Sequence, residues 1–72
     1  MTVLMHLDSP VEFSVYVDGN VRARIVKEGT SWLLHPFSRP DDALDVTSSI
    51  NHHEELAPRI LAHLARTAEA AA

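Results

Sequence analysis

Residues 11–25 read VEFSVYVDGNVRARI, two alternating apolar runs around Asp18-Gly19-Asn20. Val11, Phe13, Val15 and Val17 alternate before the turn, and Val21, Ala23 and Ile25 after it. A period of two marks a half-buried strand, because successive side chains point to opposite faces. A three-residue loop over Asp18-Gly19-Asn20, with Asn20 in the left-handed position, sets Val17 against Val21, Val15 against Ala23 and Phe13 against Ile25. A two-residue loop would instead oppose Val15 to Arg22 and mix the faces.

The pattern extends in both directions. A wider loop over Lys27–Thr30, centred on Glu28-Gly29, brings Ile25 opposite Trp32 and Ala23 opposite Leu34. Upstream, residues 3–7 (VLMHL) read as a further strand, with Val3, Met5 and Leu7 facing Val15, Phe13 and Val11; Pro10 cannot close a tight loop, so either that connection is wider or 3–7 is a ragged edge segment. His35-Pro36 ends the last clear strand, since proline cannot donate to a ladder. Residues 38–49 (SRPDDALDVTSS) read as a loop with a helical turn beginning at Pro40, a short strand at 44–47 being the alternative.

The C-terminal segment is the only long helix candidate. Leu56, Ile60, Leu64 and Ala68 recur every four residues, and Ala57, Leu61 and Ala65 widen the stripe. Glu55, Arg59, Arg66 and Glu69 take the opposite side, with Glu55 placed to pair with Arg59. Asn51 and Glu54 resemble a capping box, but a start there puts Pro58 in the second turn. A start near Glu54 places Pro58 in the first turn, so the expected helix spans about residues 54–69, with an alanine-rich end that frays and a kink at Pro58 as the alternative.

These readings predict one α+β domain over residues 1–72, an antiparallel three- or four-stranded meander with one C-terminal helix packed on one face (βββα or ββββα). The expected core is Phe13, Val15, Val17, Val21, Ala23, Ile25, Trp32, Leu34, Leu56, Ile60, Leu61 and Leu64. Trp32→Ala is expected to be among the most damaging changes if the indole is fully buried. The order of elements resembles several small single-strand-binding and sheet-reading folds in architecture alone, and no functional residue is carried across from them.

Seventy-two residues hold one domain of marginal stability, and the absence of cysteine removes disulfides and thiolate metal sites as staples. Dimerisation is the remaining common way for so small a chain to gain core. The net charge of −4 argues against phosphate-driven binding to nucleic acid or anionic membranes. No apolar run reaches the length of a membrane span and the start lacks a basic leader region, so the expected compartment is the cytoplasm. Arginine far outnumbers lysine, with Lys27 the sole lysine, and alanine is abundant. That is the bias of a GC-rich genome and points to an actinobacterial or phage source.

The residues carry little chemistry. His52 and His53 are adjacent and point apart, and His63 has no ligand-type residue one turn away, so no metal or other cofactor is expected. His53 with Glu54 or Glu55 and the distant His35 is the one conceivable metal set. Asp41, Asp42 and Asp45 lack the alternation and glycine of a calcium loop and read as a solvated acidic segment. No nucleophile motif is present, and Gly19 and Gly29 are explained by turns, so no catalytic residue is assigned and an enzyme is not expected.

The second sheet face carries, by alternation, Glu12, Ser14, Tyr16, Arg22, Arg24, Val26, Ser31, Leu33 and His35. The expected pairs there are Arg24 with Leu33 and Arg22 with His35, and Tyr16 lies diagonally near Arg22. Tyr16, Arg22, Arg24, Leu33 and His35 form the candidate binding face, because Arg, Tyr, His and Leu together offer area and directional bonds. An ordinary solvated face is the plain alternative. The expected function is a small non-catalytic protein-binding accessory module, acting through this face or the acidic segment, with an unidentified protein partner or a second copy of the chain. The competing reading is a sheet-face binder of nucleic acid.

Overall fold

Alternating β-branched and aromatic residues build four consecutive strands, β1 (Val3–Ser9), β2 (Glu12–Val17), β3 (Asn20–Glu28) and β4 (Ser31–Pro36). A two-residue β5 (Leu44–Asp45), a 3₁₀ turn over Thr47–Ser49 and the helix α1 (His53–Ala71) complete the chain. These elements come from a computed structural model that describes residues 2–71, with side-chain burial described as far as Ala68. The side chain of Glu69 on the expected polar helix face, and the surroundings of the alanine-rich end, lie outside that description. The strands form one antiparallel sheet in the order β1-β2-β3-β4-β5, and α1 crosses one of its faces.

The first hairpin keeps the expected faces by a different route. Val15 opposes Ala23 and Phe13 opposes Ile25, but Val17 meets Asn20 and Tyr16 meets Val21. The turn has two residues: Asp18 (φ 51°) and Gly19 (φ 85°) both take positive φ, the conformation of an Asp-Gly type I′ turn. Asn20 is therefore the first residue of β3 and not the left-handed closer. One extra residue, Arg22, bulges between Val21 and Ala23 and restores the inward phase below it. Val21 pairs on the open side and is 41% exposed, so it leaves the expected core.

The other two hairpins each sit two residues from the expected register. Val3 opposes Val17, Met5 opposes Val15 and Leu7 opposes Phe13, with a bulge between Leu7 and Ser9. In the β3–β4 hairpin Ile25 opposes Leu34, Ala23 opposes Pro36 and Lys27 opposes Trp32. Gly29 alone of its turn has positive φ (67°), which fits a two-residue type II′ turn with glycine first, tighter than the expected loop. A shift of two preserves which face each side chain occupies.

Val15, Ala23, Ile25 and Leu34 are buried from the sheet, and Leu56, Ile60 and Leu64 from the helix. Phe13, Trp32 and Leu61, expected in the centre, are only partly buried against this cluster. Trp32 lies at its margin, with its ring centroid 5.5 Å from that of Phe13 and the Lys27 Nζ 6.0 Å above it. Val3 and Val46 are buried members that the expected core lacks.

Val46 owes its place to β5 and the turn behind it. Its N–H donates to the Trp32 carbonyl at 2.9 Å, and the Trp32 N–H donates to Thr47 Oγ1 at 2.8 Å. Thr47 Oγ1 donates in turn to Asp45 Oδ1. Arg59, expected to pair with Glu55, instead clamps this segment to the helix through Ser49 Oγ (2.6 Å) and the Asp45 carbonyl (2.8 Å).

The helix begins one residue before the expected start. The His52 carbonyl accepts from the Glu55 and Leu56 N–H groups, and Glu54 and Glu55 face the positive helix end. Pro58 consequently falls in the second turn, where it cannot donate to the Glu54 carbonyl; Glu54 is exposed, so water can satisfy that group.

Candidate functional site

The helix covers one face of the sheet and leaves the other open. Strand register sets three rows across the open face. Leu4, Tyr16 and Val21 form the first, and His6, Ser14, Arg24 and His35 the second. Glu12, Val26, Leu33 and Asp45 form the third. Tyr16, Arg24, Leu33 and His35 thus share the face expected of them. Arg24 opposes His35, and Leu33 opposes Val26, in place of the expected Arg24–Leu33 and Arg22–His35 pairs.

Arg22 leaves this group. It lines a cleft with Val17, Leu61, Leu64, Ala65 and Ala68 on the helix side. The bulge is the cause, since the extra residue turns Arg22 out of the alternation and Val21 takes the place opposite Tyr16.

Two shallow hollows mark the open face. Thr2, Leu4, His6, Tyr16 and Gly19 line a mostly apolar one at the first row. Arg24, Val26, His35, Pro36, Phe37 and Pro40 line the other. Leu4 is 62% exposed and Phe37 50%, so each hollow presents a large apolar side chain to water.

The polar groups of the open face fall into three bonded sets. Asp8 accepts from Ser14 Oγ and from His6 Nδ1 (2.8 Å), and these bonds hold its carboxyl below the usual range, Ser14 contributing most. Serine, histidine and aspartate thus meet, but the carboxylate stands between the other two. His6 is not bonded to the hydroxyl and cannot take its proton, as a catalytic base must. Arg24 Nε lies 3.1 Å from Glu12 Oε2, an exposed pair that orients the guanidinium more than it stabilises the fold.

His35 is the most constrained residue of the face. Nδ1 donates to the Pro40 carbonyl at 3.0 Å and Nε2 to Glu28 Oε2 at 2.7 Å. Two donating nitrogens require the imidazolium form. The Pro40 carbonyl, and after it Glu28, raise the pKa above its ordinary value of 6.5. A raised histidine stabilises the fold fully below that ordinary value and loses its contribution as pH rises through the folded-state value. Asp45, like Asp8, is lowered, chiefly by the Thr47 hydroxyl; such carboxylates stabilise above their ordinary range and lose that contribution in acid, away from the histidine limb. The wild-type denaturation midpoint should therefore fall between about pH 6 and about pH 9, and His35→Gln should flatten that limb. A wild-type midpoint flat over this range would contradict the assignment.

His63, read from the sequence as lacking a ligand partner, is 3% exposed within the apolar stripe of the helix. Arg66 Nη2 can only donate, so His63 Nδ1 accepts from it at 2.7 Å and Nε2–H donates to the Asp42 carbonyl at 2.7 Å. The loop after β4 is thus pinned twice, by His35 at Pro40 and by His63 at Asp42. Among the described residues no group of three or more His, Asp or Glu is placed to hold a metal ion, and no helix is long and apolar enough to cross a membrane. Comparison of the chain with family models, with curated proteins and with solved structures finds no match.

Proposed function

We propose that this protein is a small non-catalytic protein-binding module that acts through the open face of its sheet. Tyr16, Arg24, Leu33 and His35 are the recognition residues, and Arg22 is not among them. One observation supports this reading above the rest: a helix covers a single face, and the uncovered one carries two apolar-rimmed hollows, the second of them lined by an oriented arginine and an imidazolium. Side chains of this kind supply most of the energy in protein interfaces. A cytoplasmic accessory protein of actinobacterial or phage origin, working as a homodimer, belongs to the same reading, with composition and chain size as its support.

The nucleic-acid reading is weaker on this face. Asp8, Glu12, Glu28 and Asp45 surround the arginine and histidine, and phosphate binding needs clustered cations without such neighbours.

The test is capture of a partner on immobilised protein, repeated with Tyr16→Ala and Arg24→Glu. Each variant should weaken capture of the same species by about 2 kcal/mol or more, about 30-fold in Kd. Ala62→Asp, on the exposed side of the helix, should leave it unchanged. Retention by both face variants would remove the proposal. Steeply salt-dependent binding to generic DNA, lost in Arg24→Glu, would favour the nucleic-acid reading instead.

A further inference from the structure

The sheet has two edges of unlike character. β5 is two residues long, whereas β1 runs for seven, and among the described residues no strand pairs with its outer side. The Asp18 N–H donates to the Thr2 carbonyl at 2.9 Å, which sets the phase of the β1–β2 ladder. Thr2, Leu4 and His6 turn their backbone groups towards β2, so Val3, Met5 and Leu7 turn theirs outward. A row of free N–H and C=O groups is a template for another strand, and natural edges are commonly blunted by lysine, proline or inward charge. Residues 3–7 (VLMHL) contain none of these, and Leu4 and Leu7 stand 62% and 57% exposed.

We propose that β1 pairs antiparallel with β1 of a second copy, about a two-fold axis at Met5, joining two five-stranded sheets into one of ten strands. The inference deepens the homodimer named above and rests on that part of the reading. The edge is self-complementary. Val3, Met5 and Leu7 are spaced symmetrically about Met5, so each outward N–H meets an outward C=O without a bulge. On the inner face Val3 lies beside Leu7 of the second copy and Met5 beside Met5, an apolar row that covers the exposed Leu7.

Charge selects this register over its neighbour. Asp8, the only acidic or basic residue in 2–8 apart from His6, falls opposite Thr2 of the second copy. Centring the axis on His6 instead would set Asp8 against Leu4 and the two imidazoles against each other. The Leu4 hollows then lie on either side of the axis, on one continuous open face.

Sedimentation of the full chain over a range of concentrations tests this, with Leu7→Lys, Met5→Pro and Tyr16→Ala alongside. Leu7 is exposed and the Met5 N–H is turned away from β2 with no partner among the described residues, so circular dichroism should show both edge variants folded. The wild type and Tyr16→Ala should sediment as dimers, and the edge variants as monomers at concentrations at least about tenfold higher than the wild type needs to associate. If Met5→Pro fails to fold, Leu7→Lys carries the test. A wild-type dimer that survives the edge variants would overturn the β1 pairing and leave self-association through another surface. A wild type monomeric throughout would overturn both.

Discussion

Replacing Leu34 by alanine should lower stability by about 2–5 kcal/mol, the range for a large aliphatic side chain removed from a closed core. Leu34 is fully buried, pairs with Ile25, and belongs to the cluster that Leu56 and Ile60 close from the helix. Domains of this size hold only about 0.05–0.15 kcal/mol per residue, so the loss is a large share of the whole. Urea denaturation followed by circular dichroism measures it. Trp32→Ala should cost less than Leu34→Ala, because the indole is partly exposed at the margin. Val21→Ala should change the unfolding free energy by no more than about 0.5 kcal/mol. A larger loss at Trp32 than at Leu34 would place the centre of the core elsewhere.

Removing the His63 imidazole should be nearly as damaging, at about 2–4 kcal/mol, for a different reason. The ring fills buried space and also ties a loop to the helix. His63→Ala removes both bonds and leaves a hole where the buried ring stood, while Asp42 and Arg66, being exposed residues, can turn their freed groups to water. His63→Gln retains a donor and should recover part of the loss. The distinguishing readout is local: amide exchange in residues 38–43 should quicken in His63→Ala beyond what global destabilisation explains. Unchanged protection there would mean that the loop is held by other contacts.

Which face each strand buries was legible from alternation alone, and so was the helix that covers it. Register was legible only in part. Alternation specifies parity but cannot choose between partners two residues apart, and that choice lay with the turns. Gly29 as the first residue of a two-residue turn moves the β3–β4 pairing by one step of two. At Asp18-Gly19 the alternation rightly asked for an odd phase, but the three-residue loop expected to supply it does not form: the dipeptide makes a two-residue turn. Only a bulge satisfies both, and it removes Arg22 from the recognition face. Tyr16, Arg24, Leu33 and His35 lie below the bulge or on other strands and keep the face that parity assigns.

The rest was not legible because its causes are distant in the chain. β5 is too short to show a period, and Arg59 and Thr47 hold Val46 inside through bonds spanning up to 15 residues. His63 is buried because its partner is a carbonyl 21 residues away. A histidine within an apolar stripe was the only signal of that contact.

The division of the sheet into a covered face and an open one underlies both the fold and the proposed recognition surface. Methyl-to-methyl nuclear Overhauser contacts in the full chain test it most directly. Ile25 and Leu34 should show them to Leu56 and Ile60, while Leu4, Val26 and Leu33 should show none to any helix methyl. Contacts from Leu33 or Val26 to the helix, with Ile25 and Leu34 silent, would contradict the account.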